Sequence, residues 1–444
     1  MKTNVALPSA VTHEGGHAMR QTPLRELERA VSTCLLWENT FYEQGSAIGQ
    51  RIADLCAHVT VEQLAALSVR ARTDLKLRHV PLWLVRHMAR HHKGQLVGDT
   101  LAAVIRRPDE ITEFLALYWR DKREPLSAQV KRGLRLAFAK FDAQALAKWD
   151  RAGKVRLRDA LFLCHAKPKD AEQDAMWKHL IAGTLPPADT WEVALSGGAD
   201  KREAFERLLR ERRLGYMALL MNLRNMAEAG VDRSLVETAL RDGAPRSMAL
   251  PFRFIAAMKA APSFAQALSD AMVLALGETK ISGDTVLLID VSGSMNDVLS
   301  SKGTLSRWEA AAALAVLFRE AAPTCRVFTF SHDLVEVANL RGLALVHAVG
   351  ESQNHGGTYL AGALEGLKNI CQPHRLIVVT DEQAHDGITP AWAAHSYLVN
   401  VAPYKPSLDT TQGWMRISGW SERLVDWIKA EESESLGRGD DDAA

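Results

Sequence analysis

The sequence predicts two domains of different class, an all-helical repeat domain over residues 1–277 and a doubly wound α/β domain over residues 278–444. Three observations carry this. The chain has 444 residues, more than one hydrophobic core comfortably organises. Up to about residue 277, apolar residues recur at helical spacing between prolines. After Gly283, short apolar runs alternate with helical segments. The composition, 47% hydrophobic and 24% charged, is that of a folded globular chain and excludes a disordered or collagen-like one.

In the first part, Leu24, Leu27, Val31 and Leu35 form one helical stripe. Leu101, Val104 and Ile105 form a second, and Ile111, Phe114, Leu115 and Tyr118 repeat it beyond Pro108. Prolines at 81, 108, 125, 168, 186, 187, 245, 251 and 262 break the segment at intervals that suit short helices. Ser127 and Asp109 read as N-caps. No run here has the character of a buried strand. Many short amphipathic helices without strands predict a HEAT-like helical-repeat solenoid.

In the second part, residues 285–289 read as a buried strand ending in a Gly/Ser turn. A long apolar helix follows at 308–321, then a strand at 325–330, a helix at 358–370, and strands at 376–380 and 396–401. Residues 424–429 fit a closing helix, with a polar acidic tail from Glu431. The alternation predicts a parallel sheet with helices on both faces.

The formal net charge of +1 hides a cancellation. Residues 1–277 hold 41 Lys+Arg against 31 Asp+Glu, and residues 278–444 hold 13 against 22. Residues 51–158 alone hold 22 against 11, so the basic excess sits in one block and points to a polyanion partner. No apolar run is long enough to span a bilayer. The five cysteines (Cys34, Cys56, Cys164, Cys325 and Cys371) form no CxxC pair, which argues for a reducing, cytoplasmic setting.

Two strings could carry chemistry. His13-Glu-Gly-Gly-His17 has the spacing of a zinc-protease motif, but adjacent glycines disfavour the helix that would align its imidazoles. It reads instead as an N-terminal arm. Asp290-Val-Ser292-Gly-Ser294 directly follows the strand 285–289, with Gly293 expected to relieve the backbone of a tight turn. Thr358 follows Gly356-Gly357 at the start of a helix, and Asp381 ends the strand 376–380. In a doubly wound sheet the carboxyl ends of neighbouring strands converge, so Asp290, Ser292, Ser294, Thr358 and Asp381 can meet there. Few charges among hard oxygen donors suit a divalent ion such as Mg²⁺. The pattern resembles the metal-ion-dependent adhesion site of von Willebrand factor A domains.

A second resemblance covers almost the whole chain. Residues 131–141, 148–151, Arg158-Asp-Ala-Leu-Phe-Leu-Cys-His165-Ala-Lys167-Pro168, Met217-Ala-Leu-Leu-Met-Asn-Leu-Arg-Asn-Met226 and Leu250-Pro-Phe-Arg-Phe254 are similar to the TROVE domain of the Ro autoantigen family. So are Thr12-His-Glu-Gly15 and Ile417-Ser-Gly-Trp-Ser421. The resemblance implies a monomeric ring of HEAT-like helices closed by the A-type domain. It implies a non-catalytic RNA-binding protein rather than a DNA or membrane binder. Its partners would be a small non-coding Y-like RNA on the ring surface and the single-stranded 3′ ends of misfolded RNAs in the central hole. A 3′-to-5′ exoribonuclease would act beside it.

The residues fit that reading on physical grounds. Lys131, Arg132, Arg135, Lys148 and Arg151 crowd the basic block, with Lys154, Arg156 and Arg158 close by in sequence. Such groups would neutralise phosphates and make binding salt-dependent. His165, before Lys167 and Pro168, stands where a helix should end at a surface; a buried core histidine is the alternative. By the resemblance, His165 matches a histidine that contacts Y RNA. Lys148 matches a basic position of the family, whose next one falls at Ala152, beside Arg151. A different reading is a metal-dependent protein-adhesion module on a helical platform. Independent catalysis ranks last, because the sequence holds no GxSxG and no P-loop.

Overall fold

The structure is a computed structural model and describes residues 22–33, 45–75, 77–247, 249–276, 280–299, 305–401, 408, 412–418 and 424–438. The His13–His17 string, Cys34, Leu35 and residues 419–421 lie outside the described residues. Cys56, Cys164, Cys325 and Cys371 are free thiols. Among the described residues, no helix is long and apolar enough to cross a membrane. Among the described residues, the chain divides into two compact units, one of Pro23–Ser32 with Ser46–Leu214, the other running from Gly215 onward.

The described elements of the first unit are all helical. The apolar stripes face inward as their spacing demands: Leu27, Val31, Leu101, Ile105, Ile111, Phe114 and Leu115 are fully buried. Ser127 caps Ala128–Phe138, its hydroxyl accepting from the Val130 N–H at 3.4 Å. Asp109 does not cap. The helix already starts from Pro108 in αR geometry, so Asp109 occupies the first turn. Its carboxylate is drawn instead to Arg107 and Arg78 at 2.6 and 2.7 Å. A buried ion pair, Arg72 to Glu110 at 2.6 Å, joins Val61–Thr73 to Asp109–Tyr118.

Helices Gln95–Val104 and Ala128–Phe138 pack at glycines. A Cβ on Gly98 would stand 2.7 Å from the Gln129 carbonyl, and one on Gly133 would stand 2.7 Å from the Gly98 carbonyl. Only glycine at both positions allows this backbone contact. Gly133→Ala is therefore expected to cost about 1–3 kcal/mol by forcing the helices apart. Urea unfolding measures this; an unchanged midpoint would mean that the close approach contributes nothing.

In the second unit the sheet strands are β1 (Thr285–Asp290), β2 (Cys325–Phe330), β3 (Leu334–Val337), β4 (Arg375–Thr380), β5 (His395–Asn400) and β6 (Met415–Ser418). Their spatial order is β3-β2-β1-β4-β5-β6. All pairs are parallel except β2 with β3, so the sheet is mixed at one edge. β1 and β4 are buried along their whole lengths, as strands covered on both faces must be. One face packs on Leu360, Leu364 and Leu367 of helix Leu360–Ile370. The helix Arg307–Ala321 packs on β1 and β2, its residues Ala310–Val316 all fully buried.

The acidic stretch that begins at Glu431 is helical as far as Arg438 rather than a tail from Glu431 onward. The closing helix runs Leu424–Arg438, and Glu432 is buried against the fully buried Arg375. The helices between 215 and 276 sit with the sheet because specific contacts tie them there. Lys259 pairs with Glu309 at 2.9 Å, and the Ser269 hydroxyl accepts from the Leu343 N–H at 3.1 Å. The compact division at Leu214 and the change from helix to strand near 277–285 are thus different boundaries.

Candidate functional site

The strand order reverses at β1, which has β2 on one side and β4 on the other. At such a switch point the loops after the two strands separate and leave a crevice at their carboxyl ends. Asp290 closes β1 and Asp381 follows β4, both fully buried. One Asp290 oxygen accepts from the Ser292 N–H at 2.8 Å, and the other accepts from the Thr380 hydroxyl at 2.6 Å. The first bond folds the chain back into the turn 292–296, where the Ser292 and Ser294 hydroxyls lie 3.3 Å apart. Gly293 is not in the left-handed region, contrary to expectation. It contributes its N–H instead, donating to the Gly356 carbonyl at 3.1 Å and so bringing the Thr358 loop against the turn. Thr358 is itself buried, two residues ahead of helix Leu360–Ile370.

Arg307 completes the arrangement, and nothing in the sequence marks it. Its buried guanidinium donates to the Ser294 carbonyl at 2.9 Å and to the Asp381 carboxylate at 3.2 Å. It therefore joins the turn after β1 to the loop after β4 and supplies a charge opposite Asp381. Tyr359 lies between His332 and His385, with ring centroids 5.6 Å from each. His385 also accepts the N–H of Thr358 at 3.4 Å. The donors are hard oxygens, and Arg307 already balances one of the two carboxylates. That set fits Mg²⁺, which keeps several waters, better than a soft transition ion.

Burial pushes the Asp290 carboxyl up to about 6, although its bonds from Ser292 and Thr380 pull the other way. Because the folded value lies above the ordinary 3.8, the ionised form is a burden on the fold above about pH 6. That burden disappears as the pH falls and the group takes up its proton. A cation would need the ionised form, so protons and Mg²⁺ compete for Asp290. The apparent Mg²⁺ affinity should be flat from pH 7 to 8 and weaken about tenfold between pH 7 and 5. Calorimetric titration across that range is the check, with Asp290→Asn abolishing the response.

The basic residues fall into two groupings within the helical unit. In one, Arg135 on Ala128–Phe138 donates to the Cys164 carbonyl at 3.2 Å, capping helix Leu157–Cys164. His165 ends that helix in left-handed geometry, φ 54° and ψ 45°, and is exposed rather than buried in a core. Lys167 follows, exposed, and Phe162, one turn earlier, is 59% exposed. Arg132 pairs with Asp99 at 2.7 Å, whereas among the described residues Lys131, Lys148, Arg151 and Lys167 form no ion pair.

In the other grouping, Trp149 carries three cations over its ring. Arg107, Arg151 and Lys148 stand 4.1, 4.9 and 5.5 Å from its centroid. Trp149, Arg107 and Arg151, with Arg78 and Gly153, line a cleft of about 440 Å³, whose acidic groups, Asp109 and Glu113, pair with Arg78. Sequence reading found Lys148 and Arg151 but missed Arg107 and Trp149. Arg107 lies more than forty residues away, and only helix packing brings it to the ring.

Residues 171–280 match the family of the TROVE domain, and residues 285–383 match the von Willebrand factor type A domain. The chain carries both domains. The A-type match runs from β1 to just past Asp381 and contains Asp290, Ser292, Ser294, Thr358 and Asp381. The TROVE match begins after the basic groupings around Lys131–Lys167. In fold, the chain is similar to the crystal structure of the Deinococcus radiodurans RO (RSR) protein. The two are 19% identical, the match covers 92% of this chain and 99% of that one, and the TM-score is 0.62. At that identity the likeness concerns the fold, a helical region followed by the A-type α/β domain. An aerotolerance-related membrane protein from Bacteroides fragilis is 17% identical over 26% of this chain and 66% of its own, with a TM-score of 0.22, too low to bear on either fold or activity. No curated protein sequence matches the chain.

Proposed function

We propose that this is a Ro-type RNA-binding protein acting in the cytoplasm without catalysis of its own. The observation that carries the proposal is the exposed basic surface of the helical unit, with His165 held out by a helix end beside Arg135. The TROVE match supports it independently of charge. Exposed lysines and arginines supply phosphate attraction, while His165, Phe162 and the Arg-covered Trp149 offer flat surfaces against which unpaired bases stack. The ligand on this surface is a small structured, Y-like RNA, contacted by Lys131, Arg132, Arg135, Lys148, Arg151, His165 and Lys167. Single-stranded 3′ ends of misfolded RNAs occupy the opening of the helical repeat, from which a 3′-to-5′ exoribonuclease receives them.

The A-type domain serves this function as a docking point. Asp290, Ser292, Ser294, Thr358 and Asp381 would hold Mg²⁺, and the bound ion would attract a carboxylate of a protein partner. A reading in which metal-dependent adhesion is the whole function rests on the same crevice. It differs by making RNA binding irrelevant.

Mobility shifts with a structured small RNA separate the two readings. Affinity should fall steeply between low and moderate salt. Changing Lys148 and His165 together to alanine should weaken that RNA by at least about tenfold, with a smaller effect on a single-stranded 3′ tail. RNA binding that is absent, or that ignores both salt and these substitutions, would leave the adhesion reading. Partner capture lost with EDTA and in Asp290→Ala would then support it.

A further inference from the structure

The end of the sheet away from the Asp290 crevice gathers a different set of donors. His374 immediately precedes β4 and His395 opens β5, the neighbouring parallel strand, in register with Arg375. The His395 N–H donates to the His374 carbonyl at 3.1 Å, which clamps the two residues together. Their rings stand 5.0 Å apart, tilted 67° to one another. The third group comes from the closing helix, where Glu432 reaches beneath the sheet. One ligand atom from each of His374, His395 and Glu432 lies within 4.8 Å of the others.

We propose that these three residues form a second metal site, for Zn²⁺ or a similar imidazole-preferring divalent ion. Two imidazoles and a carboxylate are a recurrent three-ligand set for such an ion, with a fourth position left for water or an outside ligand. Tetrahedral Zn²⁺ with bonds of about 2.0–2.1 Å needs donors roughly 3.4 Å apart, a closure that small side-chain rotations provide. Both histidines are partly exposed and Glu432 is buried, so the site opens to solvent on the imidazole side.

The surroundings fit a ligand sphere. Arg375 donates through Nε to Glu432 Oε1 at 2.6 Å and through Nη2 to Oε2, and the Tyr397 hydroxyl donates to Oε1 at 3.0 Å. Arg375 is itself fixed by the Thr285 hydroxyl at 2.8 Å and the Ser282 carbonyl at 3.0 Å. These bonds hold the Glu432 carboxylate in a fixed orientation, as outer partners do around metal-binding carboxylates. Gly283 gives the His374 ring its place: a Cβ there would stand 2.2 Å from the imidazole Cδ2. The six residues of β4 put this site about 17–20 Å from the Asp290 crevice, and an ion here would fasten the closing helix to β4 and β5.

The test uses the full, untagged chain stripped of metal by chelation, then titrated with ZnCl₂ in excess Mg²⁺ by calorimetry. One Zn²⁺ per chain is expected, retained in Asp290→Asn and weakened at least tenfold in His374→Ala and in His395→Ala. Co²⁺ should give the intense visible absorption of a four-coordinate ion in the wild-type chain and lose it in both histidine variants. His374→Gln, which keeps bulk in the space above Gly283, guards against a packing effect, and unchanged circular dichroism checks the fold. No stoichiometric Zn²⁺ binding, or binding that survives unchanged in both histidine variants, overturns the proposal and leaves an Arg375–Glu432 ion pair beside two unrelated histidines.

Discussion

A carboxylate placed at the buried end of a central strand must be satisfied by its neighbours, and much of the A-type domain's geometry follows from how Asp290 is satisfied. Its two oxygens accept from the Ser292 backbone and the Thr380 side chain, so one residue dictates both the turn after β1 and the alignment of β1 with β4. The turn then sets the two serine hydroxyls side by side and hands an N–H to the Gly356 carbonyl. The arrangement leaves the carboxyl raised to about 6, a sign that the surroundings only partly compensate its charge. An oxygen-rich crevice with an under-compensated carboxylate is suited to a small hard cation.

Buried arginines do comparable organising work elsewhere. Arg307 bridges the loops after β1 and β4, Arg375 fastens the closing helix beneath the sheet, and Arg72 ties two helices through Glu110. Each guanidinium meets a carboxylate and at least one backbone carbonyl, which uses its planar, five-donor geometry. Such pairs add little net stability compared with apolar packing, but breaking one strands a buried charge. They therefore act mainly as constraints on which loops and helices lie together.

The helical unit has the opposite electrostatic character. Apart from the buried Arg72 and Arg86, its cations lie at or near the surface, some spent on local structure and others open to a ligand. Arg135 caps a helix and Arg132 pairs with Asp99, whereas Lys148 and Arg151 extend over an aromatic ring. The formal charge of the chain reports neither behaviour, because acidic residues of the sheet domain cancel basic ones of the helices.

The elements legible in the sequence are those whose physics is local. The apolar run 285–289 is a strand because both faces of the sheet are covered, and Ser127 caps because its side chain reaches an N–H three residues on. The turn that sets Ser292 and Ser294 beside the end of β1 was legible because a Gly/Ser run directly follows a buried strand. The edge strands β3 and β6 were not, being only four residues long, and β3 is half exposed. Asp109 was misplaced by one residue because Arg107 and Arg78 outbid the helix end for its carboxylate. By itself the sequence determined the class of each half, since periodicity is a property of neighbouring residues. Only the tertiary structure decided that Arg307 meets Asp381, that Arg107 covers Trp149, and that Glu432 leaves an apparently acidic tail to lie buried beside His374 and His395. A charged residue viewed in one dimension reads as surface, and only packing reveals the partner that permits its burial.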